Sequence, residues 1–200
     1  LGPLLDPLGA GAGIPPAADP VRRWFRLAAF LAEVEPDAAQ HRAGLLRRAL
    51  EVGQTMDRLL IEGIEPGELL CEPIVGIVRE LADHWKESTA TFLRVQAHWQ
   101  AELDERGEVD PPRRRNLLFD NAAQQWRSNP PPHPVVAAGV TSASPALARL
   151  LRVVSELPQG AVILPDLDLS LDDAAWDSLG NAGRPDEPGG PPIGRKDAVT

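Results

Sequence analysis

Two short apolar runs, Val135-Val136-Ala137-Ala138-Gly139 and Ala161-Val162-Ile163-Leu164, limit what this chain can fold into. A single amphipathic stretch separates them, with Leu147, Leu150, Leu151 and Val154 on one face, Ser142 or Ser144 as N-cap and Pro145 at the start. Pro158-Gln159-Gly160 turns the chain back. Strand, helix and strand at this spacing predict a parallel β-α-β unit with both strands buried on both faces. Two strands do not make a stable sheet. The remainder of the sheet is therefore expected from elsewhere, and the chain is expected to be an internal piece of a larger cytoplasmic protein.

Upstream of that unit, the chain from Asp19 to the proline break reads as helical. Asp19-Pro20 opens a segment with Val21, Trp24, Phe25, Ala28 and Leu31 at helical spacing, and Pro36 ends it. A second helix is expected over about 37–62, with Leu45, Leu46, Ala49, Val52, Met56, Leu59 and Leu60 as its apolar stripe and Gly63 as its stop. A turn of helix at 66–72 and a helix over 74–85 follow. Residues 86–106 form another, with Phe92, Val95, Trp99 and Leu103 on one face and Gly107 closing it. Asp110 caps a helix that opens with Pro111-Pro112, runs to about Arg127 and buries Leu117, Leu118, Ala122 and Trp126. Asn129-Pro130-Pro131-Pro132-His133-Pro134 is a stiff break. Leu171 to Leu179 suggests one more short helix. The expected organisation is a linker or mobile loop at 1–18, a helical subdomain at 19–129, a partial α/β core at 130–180 and a Pro/Gly-rich loop at 181–200. The fold class is α/β and predominantly helical.

Charge and cysteine usage narrow the function. With 29 acidic and 20 basic residues, the net charge is −9, the wrong sign for a dedicated nucleic-acid-binding domain. The lone Cys71 forms neither an internal disulfide nor a cysteine-ligated cluster and fits a reducing compartment. No run of about 18 apolar residues is present, so no membrane span is expected.

Several motifs invite chemistry. Asp166-Leu167-Asp168 follows a strand, where haloacid-dehalogenase-type phosphatases place a nucleophile and an acid/base. The downstream Lys and second acidic pair of such a site have no clear candidates, and loop carboxylates are the plainer reading. Asp166, Asp168, Ser170, Asp172 and Asp177 fall at calcium-loop positions 1, 3, 5, 7 and 12. Leu171 stands where that loop needs Gly, so a strand margin or helix start fits better. His41, His84, His98 and His133 lack the i, i+4 spacing of a metal helix and read as surface or interface residues. The strand-to-helix junction Gly139-Val140-Thr141-Ser142-Ala143-Ser144 has one Gly and no Lys, so capping explains its serines better than a phosphate loop does. Arg113, Arg114 and Arg115 sit in a first helical turn, where each cation opposes the macrodipole at a cost of about 0.3–1 kcal/mol. They are the candidate nucleic-acid-binding residues, with a solvated or salt-bridged face as the alternative. Trp85, Trp99 and Trp126 could stack on bases but lie on apolar stripes, which points to core packing.

A family resemblance runs from His84 to Leu179. It is carried by His84-Trp85-Lys86, Phe92-Leu93-Arg94-Val95, Trp99, Leu103-Asp104-Glu105-Arg106-Gly107, Asp110-Pro111 and Arg114-Arg115-Asn116-Leu117-Leu118. It continues through Pro134 to Gly139, Pro145, Leu157 to Asp168 and Ala175-Trp176. In this order the motifs resemble the AddB family in its alphaproteobacterial-type form. AddB partners AddA in the bacterial ATP-dependent helicase–nuclease that processes double-strand DNA breaks for recombination.

The resemblance implies that the helical block is a subdomain inserted in a superfamily I helicase-like half. It implies that the β-α-β unit belongs to a P-loop NTPase-type core. Ala137-Ala138-Gly139 stands where a working motor keeps its magnesium-binding acids, which implies a degenerate motor with a scaffolding or DNA-scanning role. The full-length protein would involve ATP, magnesium, an iron–sulfur cluster, an AddA-type partner and single- and double-stranded DNA. No catalytic, cofactor or metal residue carries over to this chain. A stand-alone helical protein-interaction module and a phosphatase-like enzyme using Asp166 and Asp168 are the alternative readings.

Overall fold

The computed structural model describes residues 10–36, 41–64, 83–165 and 170–175, with side chains in the third helix from Glu87 onward. The elements run α1 (Pro20–Val34), α2 (Arg42–Ile61), α3 (Asp83–Arg106), α4 (Pro111–Ser128), β1 (Val135–Ala138), α5 (Pro145–Glu156) and β2 (Gly160–Ile163). The chain is predominantly helical with a small parallel sheet. Among the described residues no helix is long and apolar enough to cross a membrane. The helical turn expected at 66–72 and the loop expected at 181–200 lie outside the described residues, as does most of the helix expected at 74–85. Asp83 to Trp85 belong to α3, which starts three residues before the position read from its stripe.

Local signals set the helix ends. The Arg22 N–H donates to Asp19 Oδ1 at 2.7 Å, and Pro20 gives up no useful donor in the first turn. Gly63 and Gly107, after α2 and α3, take positive φ of 75° and 62°, which an L side chain adopts at a cost. Ser144 caps α5 by accepting from the Leu147 N–H at 3.4 Å.

Two compact units divide the chain within α4, between Arg115 and Asn116. The sequence instead changes character at the later proline break. In the unit spanning 13–115, α1 packs on α2 and α3. Its core gathers Leu27, Ala28, Phe30, Leu31, Ala49, Met56, Val95, Trp99 and Leu103. A short parallel bridge joins Ala17 to Val109, so the segment before α1 is tied to the segment before α4. The stripes read for α2 and α3 point inward as expected. For α1 the outcome differs: Val21 and Phe25 are exposed, while Leu27 and Phe30 take their places in the core. Polar side chains occupy only Arg22, Arg23, Arg26 and Glu33 of α1, so periodicity did not choose between its apolar faces.

In the other unit, Leu118, Phe119, Ala122 and Ala123 of α4 are buried, as are Ala146, Leu150, Val153 and Val154 of α5. Arg149 of α5 donates from Nε and Nη2 to the two carboxylate oxygens of Asp120, at 2.8 and 3.0 Å. β1 and β2 pair in parallel, Val135 with Gly160 through Ala138 with Ile163. Gly160 is required by close approach: a Cβ there would overlap the Val154 carbonyl oxygen and lie 2.8 Å from Leu157 Cβ. Burial of the strands on both faces is not what the structure has. Val135, Ala137, Gly160 and Val162 are half-buried, and α5 packs on both strands. The opposite face presents Val136, Ala138, Ala161 and Ile163 to solvent, with Val136 58% and Ile163 57% exposed. The described residues supply one helical layer only, and a parallel sheet needs two.

Candidate functional site

Arg23 is one of the buried polar side chains of the unit spanning 13–115. It lies on the inward arc of α1 and its side chain is 8% exposed. Its Nη1 donates to Asp57 Oδ1 on α2 at 2.6 Å, and its Nη2 to the Gly53 carbonyl at 3.4 Å. Its Nε lies 3.0 Å from Oδ1 of Asp110, whose side chain is also 8% exposed. The buried Trp99 indole of α3 donates to the same Asp110 oxygen at 2.9 Å. One guanidinium thus serves two carboxylates, and the cluster joins α1, α2, α3 and the residue preceding α4. Burial pushes the Asp110 carboxyl above the usual aspartate range. The Arg23 charge and the Trp99 hydrogen bond pull it back, and the Asp57 charge adds to the rise. Trp99 therefore packs in the core, as its stripe implied, with its N–H committed to Asp110 rather than free for a base.

Beside this cluster is a cavity of about 440 Å³. Trp24, Leu27, Ala49, Leu50 and Pro111 give it apolar walls, and Arg23, Asp57, Gln54 and Arg115 give it polar ones.

The three candidate arginines occupy the first turn of α4, and all are partly buried. The Arg114 N–H closes the first helical bond, to the Asp110 carbonyl at 2.9 Å. Its Nε donates to the Pro15 carbonyl at 3.2 Å, beside the bridge between Ala17 and Val109. Arg115 lines the cavity, and the Arg113 charge acts on Asp110. The acid before the helix offsets part of the helix-dipole cost that drew attention to the three cations. Other arginines of the unit are matched to acids: Arg22 bidentately to Glu108, Arg26 and Arg106 to the shared Glu102, and Arg48 bidentately to Glu35. Arg26 also lies 4.7 Å above the Phe30 ring.

In the α/β unit, a second cavity of about 450 Å³ adjoins the carboxyl ends of the strands, lined by Val140 to Ala143, Leu151, Arg152 and Leu164 among others. That end is where open parallel sheets bind ligands. Two backbone donors at the ends of this junction have partners within the fold. The Gly139 N–H donates to the Ile163 carbonyl at 3.1 Å, Pro145 has no N–H, and the Leu147 N–H is taken by Ser144. Capping is the use the fold makes of Ser144.

The remaining candidates separate as follows. Asp166 and Asp168 lie outside the described residues, as does Cys71. Asp172 accepts from the Ala175 N–H at 2.7 Å, the helix-start role weighed against calcium. His98 packs edge-on against Phe30 at 5.3 Å and is half exposed, and His133 is exposed in the proline segment. Trp126 is partly buried. Among the described residues no three His, Cys, Asp or Glu side chains converge as a metal site would require.

Sequence reading missed the Arg23 cluster. Its members are far apart in the chain, and the only local hint was an arginine on the arc shared with Leu27 and Phe30.

No known family model matches the chain, and neither the curated proteins nor the solved structures contain a match to it.

Proposed function

We propose that this chain is a non-catalytic segment of an AddB-type subunit. The subunit would belong to the ATP-dependent helicase–nuclease that processes double-strand DNA breaks in the cytoplasm for recombinational repair. In this reading the helical unit and the β-α-β unit are scaffold, and catalysis, ATP, magnesium and the iron–sulfur cluster belong to other parts of the full-length protein and its AddA-type partner. The ordered motif resemblance suggests the family. The observation that supports a role inside a larger α/β core is the apolar, uncovered face of the parallel sheet, with Val136 and Ile163 more than half exposed. Arg113, Arg114 and Arg115 are the proposed contacts to DNA phosphates.

The test uses the native polypeptide, purified through an antibody raised against this segment. Co-purification with ATP-dependent exonuclease activity on linear duplex DNA supports the reading. In that complex, replacing all three arginines by Ala should weaken DNA binding and flatten its salt dependence by up to about 3 in log–log slope. A purified polypeptide with neither nuclease activity nor an AddA-type partner overturns the proposal.

A second reading, a free-standing helical protein-interaction module, is favoured by the self-contained core of residues 13–115. It predicts that the same antibody recovers one stable non-nuclease partner.

A further inference from the structure

We draw no further inference here: the strongest candidate, the cavity beside the Arg23 cluster with the exposed Leu50 in its wall, carries nothing because nothing in the structure shows what covers it.

Discussion

Replacing Arg23 by Met tests whether one buried cation holds the helical unit together. Met keeps much of the apolar stem and removes the charge. Asp110 would then stay buried with the Trp99 hydrogen bond and the weaker pull of the Arg113 charge in place of its ion pair. Removing one partner of a buried ion pair costs about 3–5 kcal/mol, because the remaining charge is stranded. Asp57, 36% exposed, is rehydrated more easily, and its lost pair adds roughly 0–1 kcal/mol. The expected loss is therefore about 3–5 kcal/mol, a large part of an ordinary domain's stability. Its pH dependence carries a sign. Asp110 already has a raised carboxyl in the folded state, and loss of Arg23 removes the largest influence pulling it back. A raised folded pKa gives stability that is complete below the unfolded value, about 3.9, and is lost as pH rises through the folded value. Arg23→Met should thus be least damaging in acid and most damaging near neutrality. The double variant Arg23→Met with Asp110→Asn removes the stranded charge and keeps an acceptor for Trp99. It should recover roughly half of the loss and show little of the added pH dependence. Urea unfolding followed by far-ultraviolet circular dichroism, from pH 4 to pH 8 in steps of about one unit, reads all three proteins. A loss under about 1 kcal/mol for Arg23→Met, or a double variant no more stable than the single one at neutral pH, refutes the reasoning.

Three further outcomes follow from named contacts. Gly160→Ala should destabilise the α/β unit by at least about 1–3 kcal/mol, because the new methyl meets the Val154 backbone rather than a side chain that can swing away; hydrogen exchange at the β1 and β2 amides reports it. Asp19→Ala should cost about 1 kcal/mol and Ser144→Ala about 0.5 kcal/mol, the order following cap lengths of 2.7 and 3.4 Å, and thermal melts that reverse this order contradict the assignment. The Arg22 hydrogen bonds hold the Glu108 carboxyl below its usual range, so its stabilisation is present above the unfolded pKa of about 4.3 and lost as pH falls through the folded value. The stability gap between the unaltered protein and Glu108→Gln should therefore close on acidification, and a gap that widens below pH 4 counts against the pair.

Legibility in the sequence followed the range of the interaction. Caps and stops are local, so Asp19-Pro20, Gly63, Gly107 and Ser144-Pro145 fixed helix ends within a few residues. The inward stripes of α2 and α3 were readable because their polar residues leave one apolar arc. α1 has apolar side chains around most of its circumference, and its partners decided that Leu27 and Phe30 go inward while Val21 and Phe25 stay out. Parallel pairing of β1 and β2 was readable from the intervening helix, since a crossover of that length admits little else. The Arg23 cluster was not readable. A buried arginine needs acids from other elements, and the positions of Asp57 and Asp110 relative to Arg23 exist only once the helices are packed.

The two units differ in what each still lacks. Residues 13–115 bury Trp99, Leu27, Leu31, Met56 and Leu103 almost completely and match five of their arginines, Arg22, Arg23, Arg26, Arg48 and Arg106, to acids within the unit. Among the described residues the β-α-β unit has one helix packed on a sheet that has two faces. Covering the exposed parts of Val136 and Ile163 would contribute roughly 2–3 kcal/mol, taking about 1.5–3 kcal/mol for full burial of each side chain. Among the described residues the sheet has two strands, so each has one outer edge on which a further strand could pair. The gain from covering Val136 and Ile163 is a sizeable fraction of the roughly 5–15 kcal/mol by which domains are stable. The described helices of residues 13–115 supply an ion-paired block with a core of its own, and the strands leave Val136 and Ile163 exposed on one apolar face.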